Sequence, residues 1–198
     1  MNIIHKVNPF IVPFMDRLDI RYAAKYLEES SLAFHGHVTL EHFRDSKLIH
    51  VQSGENIFTT EGMAKILNVI FHTTAKDTAI YCGIFKNNVT PSLGNTAAAC
   101  LGASGTYGEC QDSDYDPATN RPAYTAAATT TATITNSASK ANFTMKASIT
   151  VYGAFLVSSQ AKTATTGTLY CAKAFAASRA VISNDELAVT YSVTCTSS

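Results

Sequence analysis

From Asn88 to Ser198 about half of the residues are Ala, Thr or Ser, well above ordinary usage, and the run TAAATTTATITNSAS (125–139) has no ionisable side chain. Such a stretch offers few acids, bases or nucleophiles that could converge in a pocket. Small and β-branched residues in alternation suit flat, close-packed strands and broad contact surfaces instead. The chain therefore reads first as a structural or interaction protein.

A length of 198 residues fits one ordinary domain with an appended arm. Hydrophobic residues make up 46%, enough for a core, whereas charged residues make up 15%, below the roughly 25% of soluble domains. Fifteen Lys and Arg balance 15 Asp and Glu. That balance lacks the basic footprint expected of a partner for nucleic acid or for a membrane surface. A neutral, charge-poor surface self-associates when free, so the composition favours a subunit partly covered by partners. No run approaches the ~20 apolar residues of a membrane helix. VNPFIVPFM (7–15) lacks a cleavage site and does not read as a signal peptide.

The five cysteines show no C-x-x-C pair and no metal-finger spacing. Cys82, Cys171 and Cys195 sit in apolar or alternating runs, as small buried hydrophobes do. Cys100 and Cys110 flank a Gly-rich loop, where a bridge and two free thiols both remain open. Assembly in a reducing cytoplasm fits this usage.

Three zones follow along the chain. Residues 1–58 read as an N-terminal arm, helix and hairpin region, and residues 59–198 as a β-sandwich domain. In NPFIVPF, Pro9 and Pro13 block regular helix and force an extended course. Phe10, Ile11, Val12 and Phe14 on such a segment need a partner to cover them. Met15, Leu18, Tyr22 and Tyr26 predict a helix over about 16–29. HVTLEHF (37–43) alternates as a strand, turned by RDS into KLIHVQ (47–52). Thr59 and Glu61 mark a helix start, and Met63, Ile66, Leu67 and Ile70 predict a core helix.

TAIYCGIF (78–85) reads as a central strand, and the residues from Pro91 to Pro122 as a long irregular loop. ANFTMKASITVYGAFLVSS (141–159) alternates with Phe143, Met145, Ala147, Ile149 and Val151 on one face, and Gly153 predicts a bulge or bend. GTLYCAKAF (167–175) is a further strand. In the last strand Leu187, Val189, Tyr191, Val193 and Cys195 alternate strictly with Ala, Thr and Ser, after turn chemistry at Asn184 and Asp185. The fold class expected is mainly β, a β-sandwich or jelly-roll-like domain with one or two helices and an extended N-terminal arm.

Candidate chemistry is sparse. Asp112, Asp114 and Asp116 have the spacing that opens a calcium loop, but Pro117 stands where glycine is required and Ala123 where a bidentate Glu belongs. A solvated acidic loop explains them better than a metal site. His35 and His37, with His42 and His50 beyond, read as polar strand residues rather than zinc ligands. Gly102, Gly105 and Gly108 precede no helix pattern, unlike a phosphate-cradling loop. No hydrolase, P-loop or zincin motif is present, so neither catalysis nor a cofactor is expected.

ITVYGAFLVSSQAKTATTGTLYCAKAFAASRAVISNDELAVTYSVTCTSS (149–198) resembles a recurrent pattern in virion proteins of tailed bacteriophages. A strand ending near YGAFL runs to a K-x-x-T-T-G-x-L turn. A strand ending in Phe, an Arg-x-Val and a turn with Asp then lead into L-x-V-x-Y. EGMAKILNVIF, TAIYCGIF and NSASKANFT also look like that family, so the likeness spans about residues 59–198; residues 1–58 lie outside it. The resemblance implies a non-enzymatic particle component, namely a capsid decoration (cement) protein. Its implied partners are the major capsid protein and copies of itself in a homotrimer, with no nucleic acid or membrane. It would reside on the capsid surface of the virion after assembly in the host cytoplasm. The alternative is a tail or fibre protein binding a host receptor, although the chain has no long repeats, heptads or collagen-like stalk. A glycan-cleaving virion enzyme would need paired carboxylates in a cleft.

Overall fold

Alternating apolar and polar residues pair off here as antiparallel strands. The computed structural model describes residues 32–197, so the segment Pro9, Phe10, Ile11, Val12, Pro13, Phe14 and the helix expected over 16–29 lie outside the described residues. The first hairpin joins β1 (Leu32–Arg44) to β2 (Lys47–Phe58), with Leu40 opposite Gln52 and His42 opposite His50. Its turn is Asp45 and Ser46, with φ of 49° and 60°. Two left-handed residues match the right-handed twist of the flanking strands.

The remaining strands are β3 (Tyr81–Phe85), β4 (Tyr115–Asp116), β5 (Thr133–Thr135), β6 (Ala141–Met145), β7 (Ile149–Val157), β8 (Leu169–Val181) and β9 (Glu186–Ser197). They form one curled sheet in the order β3-β7-β8-β2-β1-β9-β6-β4, with β5 on β9. Strand β2 ends at the expected 58/59 boundary but pairs on both sides of it, with β1 up to Asn56 and then with β8 through Ile57 and Phe58. Ala33–Thr196 forms one unit. The two leaves curl over a shared core that includes Leu40, Ile84, Phe143, Leu156, Leu187 and Tyr191. The expected mainly β architecture is thus observed.

Strand β9 has the predicted register, with Leu187, Val189 and Tyr191 fully buried. The 141–159 run is two strands rather than one. Phe143 and Met145 of β6 face the core beside β9, whereas β7 lies between β3 and β8 in the other leaf. Between them, the Lys146 N–H donates to the Asp114 carbonyl at 2.8 Å. The predicted irregularity at Gly153 is a register shift, and a Cβ there would sit 2.1 Å from the Phe85 ring. Bulges change which face the following residues present.

Two further expectations need correction. Strand β3 is terminal, not central; its apolar run is buried because a loop covers its outer edge. Helix α1 (Thr60–Phe71) is capped by Thr59, whose hydroxyl accepts from the Gly62 N–H at 3.0 Å. Only Met63 and Ile66 of its apolar stripe pack on the core, while Leu67, Ile70 and Phe71 are 48%, 60% and 77% exposed. Gly62 permits the close approach, since a Cβ would lie 2.4 Å from the Tyr170 carbonyl oxygen. The helix therefore touches β8 through its first turn, and its far end stands away from the core.

Val189 is fully buried between strands β1 and β6. Val189→Asp places an unpaired charge there and is expected to remove more than about 3 kcal/mol of stability. Thermal unfolding of the soluble fraction measures it, and unchanged melting would assign Val189 to the wrong face.

Candidate functional site

The residues from Pro91 to Pro122 are tied down over the outer edge of β3. Within them a single turn of helix, α2 (Ala97–Cys100), precedes the glycines. The Cys110 N–H donates to the Ile84 carbonyl at 3.0 Å, and the Cys82 N–H to the Pro122 carbonyl at 2.8 Å. The loop thus supplies the pairing that a further strand would have made.

An ion pair inside the protein holds this loop. Glu109 and Arg121 are both fully buried, with Arg121 Nε 2.6 Å from Glu109 Oε1 and Nη2 2.8 Å from Oε2. The Gly102 N–H also donates to Oε2, at 2.9 Å. Arg121 further donates to the Ser159 carbonyl, the Ser159 hydroxyl and the Ala164 carbonyl, at 2.7, 2.9 and 3.0 Å. Burial pushes the Glu109 carboxyl up, and the Arg121 guanidinium opposes that shift. A buried pair tolerates its desolvation only when its remaining donors and acceptors are satisfied, as they are here.

The three aspartates do not converge. Asp112 accepts from the Thr119 N–H at 2.8 Å and lies 3.4 Å from Lys162 Nζ. Asp114, almost fully buried, accepts from Lys86 Nζ at 2.8 Å and from the Gln111 N–H at 2.7 Å. Asp116 faces Lys146 at 3.5 Å. Each carboxylate has its own lysine, whereas a cation site needs them aimed at one point. Among the described residues no three His, Cys, Asp or Glu side chains are grouped to hold a metal. Lys162 is itself fully buried, donating to the Tyr115 carbonyl at 2.8 Å and lying 3.6 Å from the centre of the Tyr115 ring. Burial draws its pKa down.

Gly102 and Gly108 take φ of +77° and +56° to make the loop's turns, and the Gly102 N–H serves Glu109 rather than an external anion. Cys100 and Cys110 are free and buried, so they form no bridge, and burial raises both thiol pKa values.

The histidines separate too. His35 pairs with the Thr196 hydroxyl at 3.2 Å, and His37 is exposed. His42 is fully buried, with Nε2 2.8 Å from Asp185 Oδ2. Asp185 also receives Arg44 Nε at 2.8 Å, Arg44 Nη2 at 2.7 Å and the Ile182 N–H at 2.9 Å. Chiefly the Arg44 bond holds its carboxyl well below the usual carboxylate range.

These charged groups tie the fold internally. The surface offers something else: Ile49, Val51 and Ile57 stand exposed on alternate residues of β2, as do Leu67, Ile70 and Phe71 on α1. Periodicity marked Leu67 and Ile70 but assigned them to the core. The Glu109–Arg121 pair and the Lys162 seat were missed, because no local pattern signals a buried charge. The N-D turn before β9 was the one hint of Asp185.

No protein-family model matches the chain, and no curated protein matches it.

Replacing Glu109 with Gln or Arg121 with Met, one at a time, leaves a buried charge unpaired and is expected to cost about 3–5 kcal/mol each. The double replacement should cost less than the sum, as read from a denaturant double-mutant cycle. Asp185 contributes stability above its unfolded pKa of about 3.9, lost as pH falls through its lower folded value. Asp185→Asn should therefore lower Tm at neutral pH, and the gap to wild type should close below about pH 4.

Proposed function

We propose that the chain is a non-enzymatic structural component of a tailed-bacteriophage virion, a capsid decoration (cement) protein that stabilises the head by bridging major capsid subunits. The observation that carries this reading is the set of large apolar side chains left in solvent on two elements, β2 and the far end of α1. Their chain has no net charge to keep copies apart. Such side chains call for covering partners, here the shell beneath and like subunits of a homotrimer. The ionisable groups support the same reading, since Glu109, Arg121, Lys162, Asp114 and Asp185 are engaged in internal pairs rather than aimed into a common cleft. The apolar Phe10–Phe14 segment is the arm this function would use, by virtue of its sequence.

Gold-labelled antibody on particles purified from lysates of the producing host tests the location. Label distributed over the head supports decoration, and label confined to one vertex supports a tail or fibre role instead. Deleting residues 1–14 is expected to leave the Ala33–Thr196 unit folded by circular dichroism while abolishing particle binding. Undiminished binding by the truncated chain would reject the arm.

A further inference from the structure

The leaf that holds β1, β9 and β6 has a second face. Leu40, Phe143, Met145, Leu187 and Val189 point into the core, so period-two alternation turns their sequence neighbours away from it. On that outer side Asn142 stands opposite Ala188, and Thr144 opposite Glu186. These four, with Glu41 and Phe43 of β1, line a groove of about 570 Å³, which Ser46 of the first hairpin turn and Lys140 complete. Its size lies within the roughly 300–1,000 Å³ of small-ligand sites. Ala188 is the floor: it is only 6% exposed although it faces away from the core, because larger side chains stand on both neighbouring strands. Among the described residues, Glu41 with Lys140 is the one ion pair between the groove's side chains. The Glu186 carboxylate, the Asn142 amide and the Thr144 and Ser46 hydroxyls are turned to solvent.

We propose that this groove binds a neutral saccharide. Its carboxylate only accepts, its ammonium only donates, and its amide and hydroxyls do both. A polyol answers all of these at once, since every sugar hydroxyl donates and accepts. The half-buried Phe43 ring and the Ala188 methyl supply an apolar seat for the C–H face of a pyranose. Other occupants fit this set worse. A cation needs carboxylates aimed at one point, and Lys140 already holds Glu41. An anion would meet Glu186 with the groove's ammonium already engaged. A peptide strand needs an open backbone edge, and β9 has β1 on one side and β6 on the other. The assignment is binding rather than cleavage, because one free carboxylate remains where glycoside hydrolysis takes two. It rests on the groove's own side chains and does not depend on the capsid role.

Heteronuclear NMR of the isotope-labelled full chain tests the groove, with maltotriose, cellotriose and triacetylchitotriose titrated singly to about 10 mM. At least one sugar is expected to shift the amides of Glu41, Phe43, Asn142, Thr144 and Glu186 saturably, leaving the buried β7 amides unmoved. Ala188→Leu fills the floor, whereas Asn142→Ala and Glu186→Ala each remove a hydrogen-bonding group from an exposed position. Each substitution is expected to weaken binding by about tenfold. Should Ala188→Leu fail to fold, the two exposed substitutions decide. Silence from all three sugars would overturn the proposal. So would shifts centred on another face, or undiminished affinity in both Asn142→Ala and Glu186→Ala.

Discussion

The strand β2 belongs to two leaves of the sheet, and the rest of the structure depends on that crossing. Up to Asn56 its partner is β1; from Ile57 its partner is β8. A single antiparallel sheet cannot enclose a core unless it curls or splits, and β2 is where this one turns over. Thr59 and α1 follow directly, so the crossing is pinned by the helix cap on one side. Its hydroxyl also donates to the Leu169 carbonyl, and the Glu61 carboxylate accepts from the Leu169 N–H at 2.7 Å and the Ala97 N–H at 2.9 Å. A residue that looks like an ordinary first-turn acid thereby joins the helix, β8 and the loop. Beyond that crossing β2 diverges from β8, and the Gln52 amide bridges the two strands by donating to the Ala177 carbonyl at 2.8 Å and accepting the Ala177 N–H at 3.1 Å.

Closing the sheet leaves an edge at β3, and the loop over it brings its own cost in buried charge. Glu109 and Arg121 lose all contact with water, and removing either one would leave an ion in a medium of low dielectric. The compensation is local and complete: two direct contacts between the partners, the Gly102 amide on the acid, and Ser159 and Ala164 on the base. Tyr107 stacks on Phe85 at 4.8 Å beneath this network, in a second apolar cluster with Leu101 and Phe155. Loop and edge strand are thus one packed unit, which explains why a segment so irregular in sequence is so buried.

Period-two patterning made the faces of Phe143, Met145, Leu187, Val189 and Tyr191 and the break at Gly153 legible, but not the division of 141–159 into β6 and β7 in different leaves. The RDS turn and the Thr59 cap were legible for the same reason: each is a local rule read from adjacent residues. What failed was long-range. The apolar run of β3 reports burial on both faces but not which neighbour supplies the edge bonds. The stripe of α1 reports amphipathicity, yet Leu67 and Ile70 show that a stripe need not be covered by its own core. The His42–Asp185 contact spans 143 positions, and no spacing rule reaches that far. The Asp112, Asp114 and Asp116 series shows the converse. A spacing that suggests convergence is resolved by three lysines from different parts of the chain.

Few charges and many internal ties have a joint consequence for the surface. A chain with 15% charged residues that buries Glu109, Arg121, Lys162, Asp114 and Asp185 has correspondingly less charge outside. Strands β5 and β9 carry half-buried hydroxyls paired with one another instead, Thr133 with Thr194 at 2.8 Å and Ser192 with Thr135 at 2.9 Å. Hydroxyls already satisfied in cross-strand pairs lose little when a partner excludes water, whereas free ions would lose much. The exposed aliphatic side chains of β2 would contribute burial without a matching desolvation penalty. On the proposed reading, the same economy of charge stabilises the loop from within and keeps the exterior inexpensive to cover.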